Sequence, residues 1–256
     1  MARIRPVGHD DRLTLVEHLD ELRTRIIIAV AAFVVGAGLC AWQNREIFDL
    51  LNRPLPEGRD PITLGVTEPF FTTLTVSAYA GLLLALPVIL YQVYAFLLPA
   101  FSDRERRVVL PLMLLAPFLF IAGVMFGYLV VLERAVEFLL NFNDEQFNIQ
   151  VRAREYYTFV VLTLMAMGLV FQVPLAILAI TRLGIMSPAQ LRANRRYAIL
   201  GIAVLAALLP TVDPVTMLIE MVPLILLFEL SIVLASLLGR PPGETAPSEP
   251  RAEGSP

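Results

Sequence analysis

The run EHLDELRTR, residues 17–25, places three acids, two arginines and a histidine in nine positions, and a wholly apolar stretch begins at Ile26. Carboxylates at this density can bind guanidinium groups, each through a two-pronged pair of charge-assisted hydrogen bonds. A further carboxylate, Glu105, stands in FLLPAFSDRERRVVLP, an arginine-rich loop that follows another apolar run. Each acid also has a plain structural reading. On a helix Glu21 meets Arg25 at i, i+4 and Asp20 meets Arg23 at i, i+3, as solvated helices commonly arrange. Ser102 suits an N-cap with Glu105 three residues on, a capping box. One feature resists the plain reading. A helix that only adhered to anionic lipid would be basic, and this one is balanced, with an acidic face.

The elements that must position these charges are membrane spans. Of 256 residues, 57% are hydrophobic and only 17% charged; with a mean hydropathy of +0.71, a soluble domain is excluded. Six apolar stretches stand out: 26–42, 70–98, 108–132, 156–180, 197–209 and 215–238. A hydrocarbon core of about 30 Å needs about 20 helical residues. The fifth stretch reaches only about 20 Å at 1.5 Å per residue, and Pro210 and Pro214 bracket a tight turn into the sixth. The expectation is an all-α integral membrane protein of six transmembrane helices, the last two short. The first span, which lacks an A-x-A site, is read as retained. Leu15, Leu19, Leu22 and Ile26 recur at helical spacing and predict an amphipathic N-terminal helix at the membrane surface.

All twenty basic residues are arginines. Fourteen fall in the N-terminal segment, residues 99–107, residues 181–196 and the C-terminal tail, against six in the alternate loops. By the positive-inside rule both termini are cytoplasmic. The chain thus divides into a cytoplasmic segment (1–25), a membrane domain (26–238) and a Pro-, Gly-, Ser- and Glu-rich tail (239–256) predicted to be disordered. The net charge of −3 lies in loops rather than in a basic patch, which gives no support to nucleic-acid binding.

Inside the spans, polar groups are few: Gln172 beside Pro174, and Glu220 and Glu229 in the sixth stretch. An Asp at a helix centre costs about 2.5–3.5 kcal/mol to insert, so such residues point to function or interfaces. Nine positions set the two glutamates about 180° apart on a helix. No arginine lies within the spans, so at least one glutamate is expected to face another protein or a water-filled groove. Pro54, Glu68 and Asp213 read first as turn or cap residues. There is no GxSxG, HExxH, Asp-rich or Walker motif, and the lone Cys40 makes neither a disulfide nor, by itself, a metal site. No enzyme activity, cofactor or metal is expected. A small secondary transporter would place polar residues at midplane on two repeats; a ligand-free scaffold would tolerate loss of Glu21 and Glu105.

HLDELRTR, TEPFF, LPVILYQVYAFLLPAFSDRERR, VFQVPLAIL and FEL occur in order between residues 14 and 238. Together they resemble the TatC family, the signal-peptide receptors of the twin-arginine protein translocase. The resemblance implies a binding protein of the bacterial or archaeal cytoplasmic membrane, with both termini inside. It implies that Glu21 and Glu105 face the paired arginines of signal peptides, with His18, Leu19, Arg23, Phe96 and Pro99 in the same region. It places Pro54, Glu68, Gln172, Asp213 and Glu229 at positions of partner contact or translocation. Gln172 stands where relatives carry Glu or Gln, so a step that needs a carboxylate there is in doubt. The partners implied are TatA and TatB, or one TatA-like protein, together with further TatC copies and membrane lipid. Export of folded cargo is then driven by the proton-motive force. The resemblance gives Glu220 no role.

Overall fold

The computed structural model of the chain describes residues 15–98, 103–146, 149–182, 185–208 and 214–238. The expected disordered tail, Pro99 and Asp213 lie outside these. In order, the helices are α1 (Leu15–Trp42), α2 (Asn44–Asn52), α3 (Glu68–Leu97), α4 (Asp103–Phe126), α5 (Glu133–Asn141), α6 (Ala153–Val170), α7 (Val173–Arg182), α8 (Pro188–Ala193), α9 (Arg195–Leu208) and α10 (Pro214–Leu238). A π-helical stretch, Gly127–Leu132, joins α4 to α5. Among the described residues the only strand-like pairing is one parallel bridge between Ile62 and Arg152.

Five helical runs are long and apolar enough to cross a membrane: His18–Trp42, Glu68–Leu97, Met113–Asn141, Ala153–Thr181 and Pro214–Leu237. The fifth apolar stretch forms α9, whose 14 residues reach about 21 Å, short of a full hydrocarbon core. Large apolar side chains cover the outside of the bundle, among them Val35 at 61%, Phe118 at 69% and Leu226 at 64% exposure. In water such a surface would aggregate. In lipid it is solvated.

The charged N-terminal segment is helical from Leu15 and continues directly into the first span. α1 runs unbroken from Leu15 to Trp42, because no Gly or Pro interrupts EHLDELRTRIII and a helix once begun propagates. Leu19 and Ile26 of the apolar stripe are 63% and 52% exposed, so the stripe is not packed against the rest of the chain.

α1 packs along α3 more extensively than any other helix pair does. The contact is backbone on backbone. A methyl group at Gly81 would lie 2.3 Å from the N and Cα of Ala37, and one at Gly36 would lie 2.6 Å from the Gly81 carbonyl oxygen. Lipid supplies no hydrophobic force between helices, so close approach of small residues must hold the pair. At its end α1 turns through Gln43 into the short, amphipathic α2, and Trp42 is 79% exposed.

Three tyrosines hold α2 in place. The Tyr128 hydroxyl donates to the Leu50 carbonyl at 2.7 Å, Tyr156 to the Leu51 carbonyl at 2.7 Å, and Tyr157 to Asn52 Oδ1 at 2.8 Å. The first two satisfy carbonyls that the last turn of a helix leaves open. Around them lies one core cluster, with Leu51, Val76, Leu132, Val136 and Val160 buried. A second joins the end of α6 to α9 and α10 through Val170, Ile202, Leu224, Phe228 and Ile232. Between the two, the α6–α7 run bends at Phe171–Gln172, where Pro174 cannot donate to Val170. Gln172 N–H bonds the Leu169 carbonyl instead, at 2.9 Å.

Two stability tests follow from this packing. Gly81→Ala should cost about 1–3 kcal/mol of stability, the usual range for overpacking, seen as a lower thermal midpoint in detergent. Gly38→Ala, whose added methyl meets nothing within 4 Å, should leave that midpoint unchanged. Tyr156→Phe should cost about 1 kcal/mol, the net worth of one hydrogen bond.

Candidate functional site

At the charged end of α1, Glu21 is a hub. Arg25 Nε donates to Glu21 Oε1 at 3.0 Å, and Arg25 Nη2 donates to the same oxygen. The other oxygen faces His18 Nδ1 at 3.7 Å. Arg25 also donates through Nη1 to Gln92 Oε1 of α3 at 3.1 Å. Beside it the His18 ring stacks on Phe96, centroids 4.3 Å apart and planes 15° from parallel. Thus α1 is pinned to the far end of α3 by one stack and one guanidinium bridge. The Glu21 side chain keeps 24% exposure, and its Oε2 has acceptor capacity left.

The i, i+4 pair read from the sequence is therefore real, and Glu21 is partly neutralised within the chain. The Asp20–Arg23 ion pair does not form among the described residues; Thr24 Oγ1 donates to the Asp20 carbonyl instead, at 3.0 Å. Leu19 and Arg23 are exposed beside the hub. Glu105 belongs to the first turn of α4, the helix that follows α3; its side chain, like Pro99, lies outside the described residues.

At the opposite end of α3, Glu68 is buried at 8% exposure. Its Oε2 accepts from the backbone N–H groups of Leu64 at 2.9 Å and Gly65 at 3.2 Å. Its Oε1 accepts from Arg152 Nε at 2.9 Å, while Arg152 Nη1 reaches Glu155 at 3.0 Å. The hydrogen bond that Arg152 donates to Glu68, ahead of the Glu68 charge, holds the Arg152 guanidinium above its ordinary value. Backbone bonds run alongside: Ile62 N–H to the Val151 carbonyl and Ala153 N–H to the Ile62 carbonyl, both 2.8 Å. Glu68 thereby ties two loops together across 84 residues. Pro54 is half-buried in the turn after α2.

The intramembrane polar groups depart from expectation. Glu229 is not left to another protein: Arg195 Nη2 donates to its Oε2 at 2.6 Å. The reason is the shortness of α9. A helix of 14 residues starting at Arg195 draws its first arginine down to the level of Glu229. Glu220 is fully buried within the chain, so it faces no open groove. Gln172 Nε2 donates to the Ala116 carbonyl at 3.2 Å, and its Oε1 is buried without a partner among the described residues. Asp213 lies outside them. Among the described residues no three His, Cys, Asp or Glu side chains gather to hold a metal.

Sequence reasoning missed Arg152, Arg195 and Gln92 as partners and the three tyrosines as clamps. The tyrosines left a trace, since aromatic residues at span ends favour the membrane interface. The arginines left none, because their partners are 84 and 34 positions away.

A multi-pass helical membrane protein with a partly open carboxylate site at one end of its first span is a binding or transport component in class. The family model described as Sec-independent protein translocase protein (TatC) matches residues 17–223. A TatC from Desulforapulum autotrophicum is 36% identical, covering 90% of this chain and 87% of its own. The Aquifex aeolicus protein is 36% identical over 89% of this chain and 97% of its own, and that of Escherichia coli K12 is 36% identical over 87% and 88%. A crystal structure of the twin-arginine translocase receptor TatC superposes with a TM-score of 0.74 at 35% identity, covering 88% of this chain and all of that one. The chain belongs to the TatC family.

The Arg195–Glu229 pair gives a direct test. Arg195→Gln and Glu229→Gln should each lower the thermal midpoint in detergent. The double variant should show a coupling of about 0.5–1 kcal/mol, the discounted worth of a half-exposed pair.

Proposed function

We propose that this chain is the signal receptor of a twin-arginine translocase, capturing paired arginines on the Glu21 face of α1 and in the loop bearing Glu105. The observation that carries the reading is the Glu21 carboxylate. It is held in a fixed orientation by Arg25, which Gln92 braces, yet its second oxygen is turned outward toward His18 and is only loosely engaged. A guanidinium is planar and stays charged, so it can bind there by shape as well as charge, where an ammonium offers only a point charge. The stacked His18–Phe96 pair supplies a flat apolar wall next to the carboxylate. Leu19 and Arg23 border it, and Pro99 and Glu105 would complete it from the following loop.

The rest of the proposal follows the charge balance and the family. Both termini face the cytoplasm of a bacterium or archaeon, as the arginine bias favours. α9 is a sixth span that crosses only because the bilayer thins around it, since shorter helices deform lipid at modest cost. Partners of the TatA and TatB kind dock along α7, α9 and α10, near Gln172. Further copies of this chain meet through the loops around Pro54, Glu68 and Asp213. The protein does no chemistry on its cargo; the proton-motive force drives passage.

Binding of a signal peptide with Arg-Arg, against the same peptide with Lys-Lys, tests the reading on detergent-purified protein. The Arg-Arg form should bind about tenfold tighter, the scale of one bidentate charge-assisted contact. Glu21→Ala with Glu105→Ala should erase the difference. Equal binding of the two peptides to the unmodified chain would count against a guanidinium site at this face.

A further inference from the structure

A groove of about 510 Å³ opens between α1, α2, α3, α6 and the π-helical stretch, and it is almost wholly apolar. Cys40, Ile47, Ala80 and Leu164 line its floor. Leu84, Met125 and Leu129 on its rim are 55%, 55% and 56% exposed. A second cavity of about 560 Å³ shares Tyr128 and Leu129 with it and carries four charged side chains, Arg53, Glu133, Arg134 and Glu137. Arg134 and Glu137 are paired at 3.1 Å. The side chains of Arg53 and Glu133 make no ion pair or hydrogen bond with the described residues. One free cation and one free anion thus line a pocket that continues into an apolar slot.

We propose that this composite groove is a phospholipid site selective for phosphatidylethanolamine. One acyl chain fills the apolar groove, the phosphate pairs with Arg53 and the primary ammonium pairs with Glu133. An unfilled apolar void forfeits dispersion contacts along its whole lining. An acyl chain restores them. The exposed Trp42, at the end of α1 just before α2, sits where tryptophans favour the headgroup level.

The charge balance chooses the headgroup. Two acids and two arginines leave this second cavity neutral, so an anionic lipid would meet Glu133 and Glu137 with only Arg53 free to answer. A zwitterion satisfies both free groups. The primary amine matters because it donates hydrogen bonds to Glu133, which a trimethylammonium cannot. A partner helix is the rival occupant. Such a helix is about 10 Å across, and an apolar one would leave the exposed Arg53 and Glu133 side chains unanswered. The proposal does not rest on signal-peptide recognition at the far end of α1.

The test takes the full chain, purified and stripped of lipid. Phosphatidylethanolamine, phosphatidylcholine and phosphatidylglycerol are each added in detergent, and retention is read by native mass spectrometry with the thermal midpoint alongside. Phosphatidylethanolamine should be retained about tenfold better than phosphatidylcholine, the scale of one charge-assisted hydrogen bond, and better than phosphatidylglycerol. Glu133→Gln should bring it down to the phosphatidylcholine level, and Arg53→Gln should weaken both zwitterionic lipids. Leu84→Trp should lower retention of all three by filling the groove. Because Arg53 and Glu133 are exposed, their variants keep the fold and decide the matter even if Leu84→Trp does not. Equal retention of the two zwitterionic lipids, a preference for phosphatidylglycerol, or a selectivity that survives Glu133→Gln would overturn the proposal.

Discussion

Everything at the two ends of α1 depends on how closely its middle approaches α3. At Gly36 and Gly81 the two backbones touch with no side chain between them. That contact sets the relative height of the helices. One consequence is at the charged end, where His18 comes level with Phe96 and Arg25 with Gln92. The other is at the opposite end, where α1 stops short and the chain must turn sideways into α2 before it can rise to Glu68. Lipid offers no hydrophobic reward for helix contact, so a seam of small residues is the available means of fixing that register.

The second organising rule is that polar groups in this environment find partners. The last carbonyls of α2 take tyrosine hydroxyls from the π-helical stretch and α6. Glu68 takes two backbone N–H groups and a guanidinium. Glu229 takes the arginine that a short α9 brings within reach. Against this background the partly engaged groups acquire meaning. The outer oxygen of Glu21, the amide oxygen of Gln172, and the Arg53 and Glu133 side chains are the places where the chain still offers bonds. They occupy separate regions of the fold.

Rigidity and openness are also divided along the molecule. The cap end is stitched by the Ile62–Arg152 bridge, the Glu68 network and three tyrosines. The His18 end of α1 rests on one ring stack and one bridging arginine. A receptor that admits a peptide at one end while keeping its span order needs this asymmetry.

The sequence by itself determined the class, the apolar stretches, the shortness of the fifth, the likeness to the TatC family and the Glu21–Arg25 pair. These are legible because they depend on local composition, on helical spacing or on motifs that stay contiguous. The helical N-terminal segment runs on into the first span as one helix, α1; uninterrupted helix formers give no signal for where a helix leaves the membrane. The sequence also left Glu229 without its arginine. Only the tertiary structure could decide that pairing, the Glu68–Arg152 tie, the tyrosine clamp on α2 and the apolar groove beneath it. Each is made by residues far apart in the chain, and which of them meet is set by the height at which backbones cross, a quantity that no residue's own identity contains.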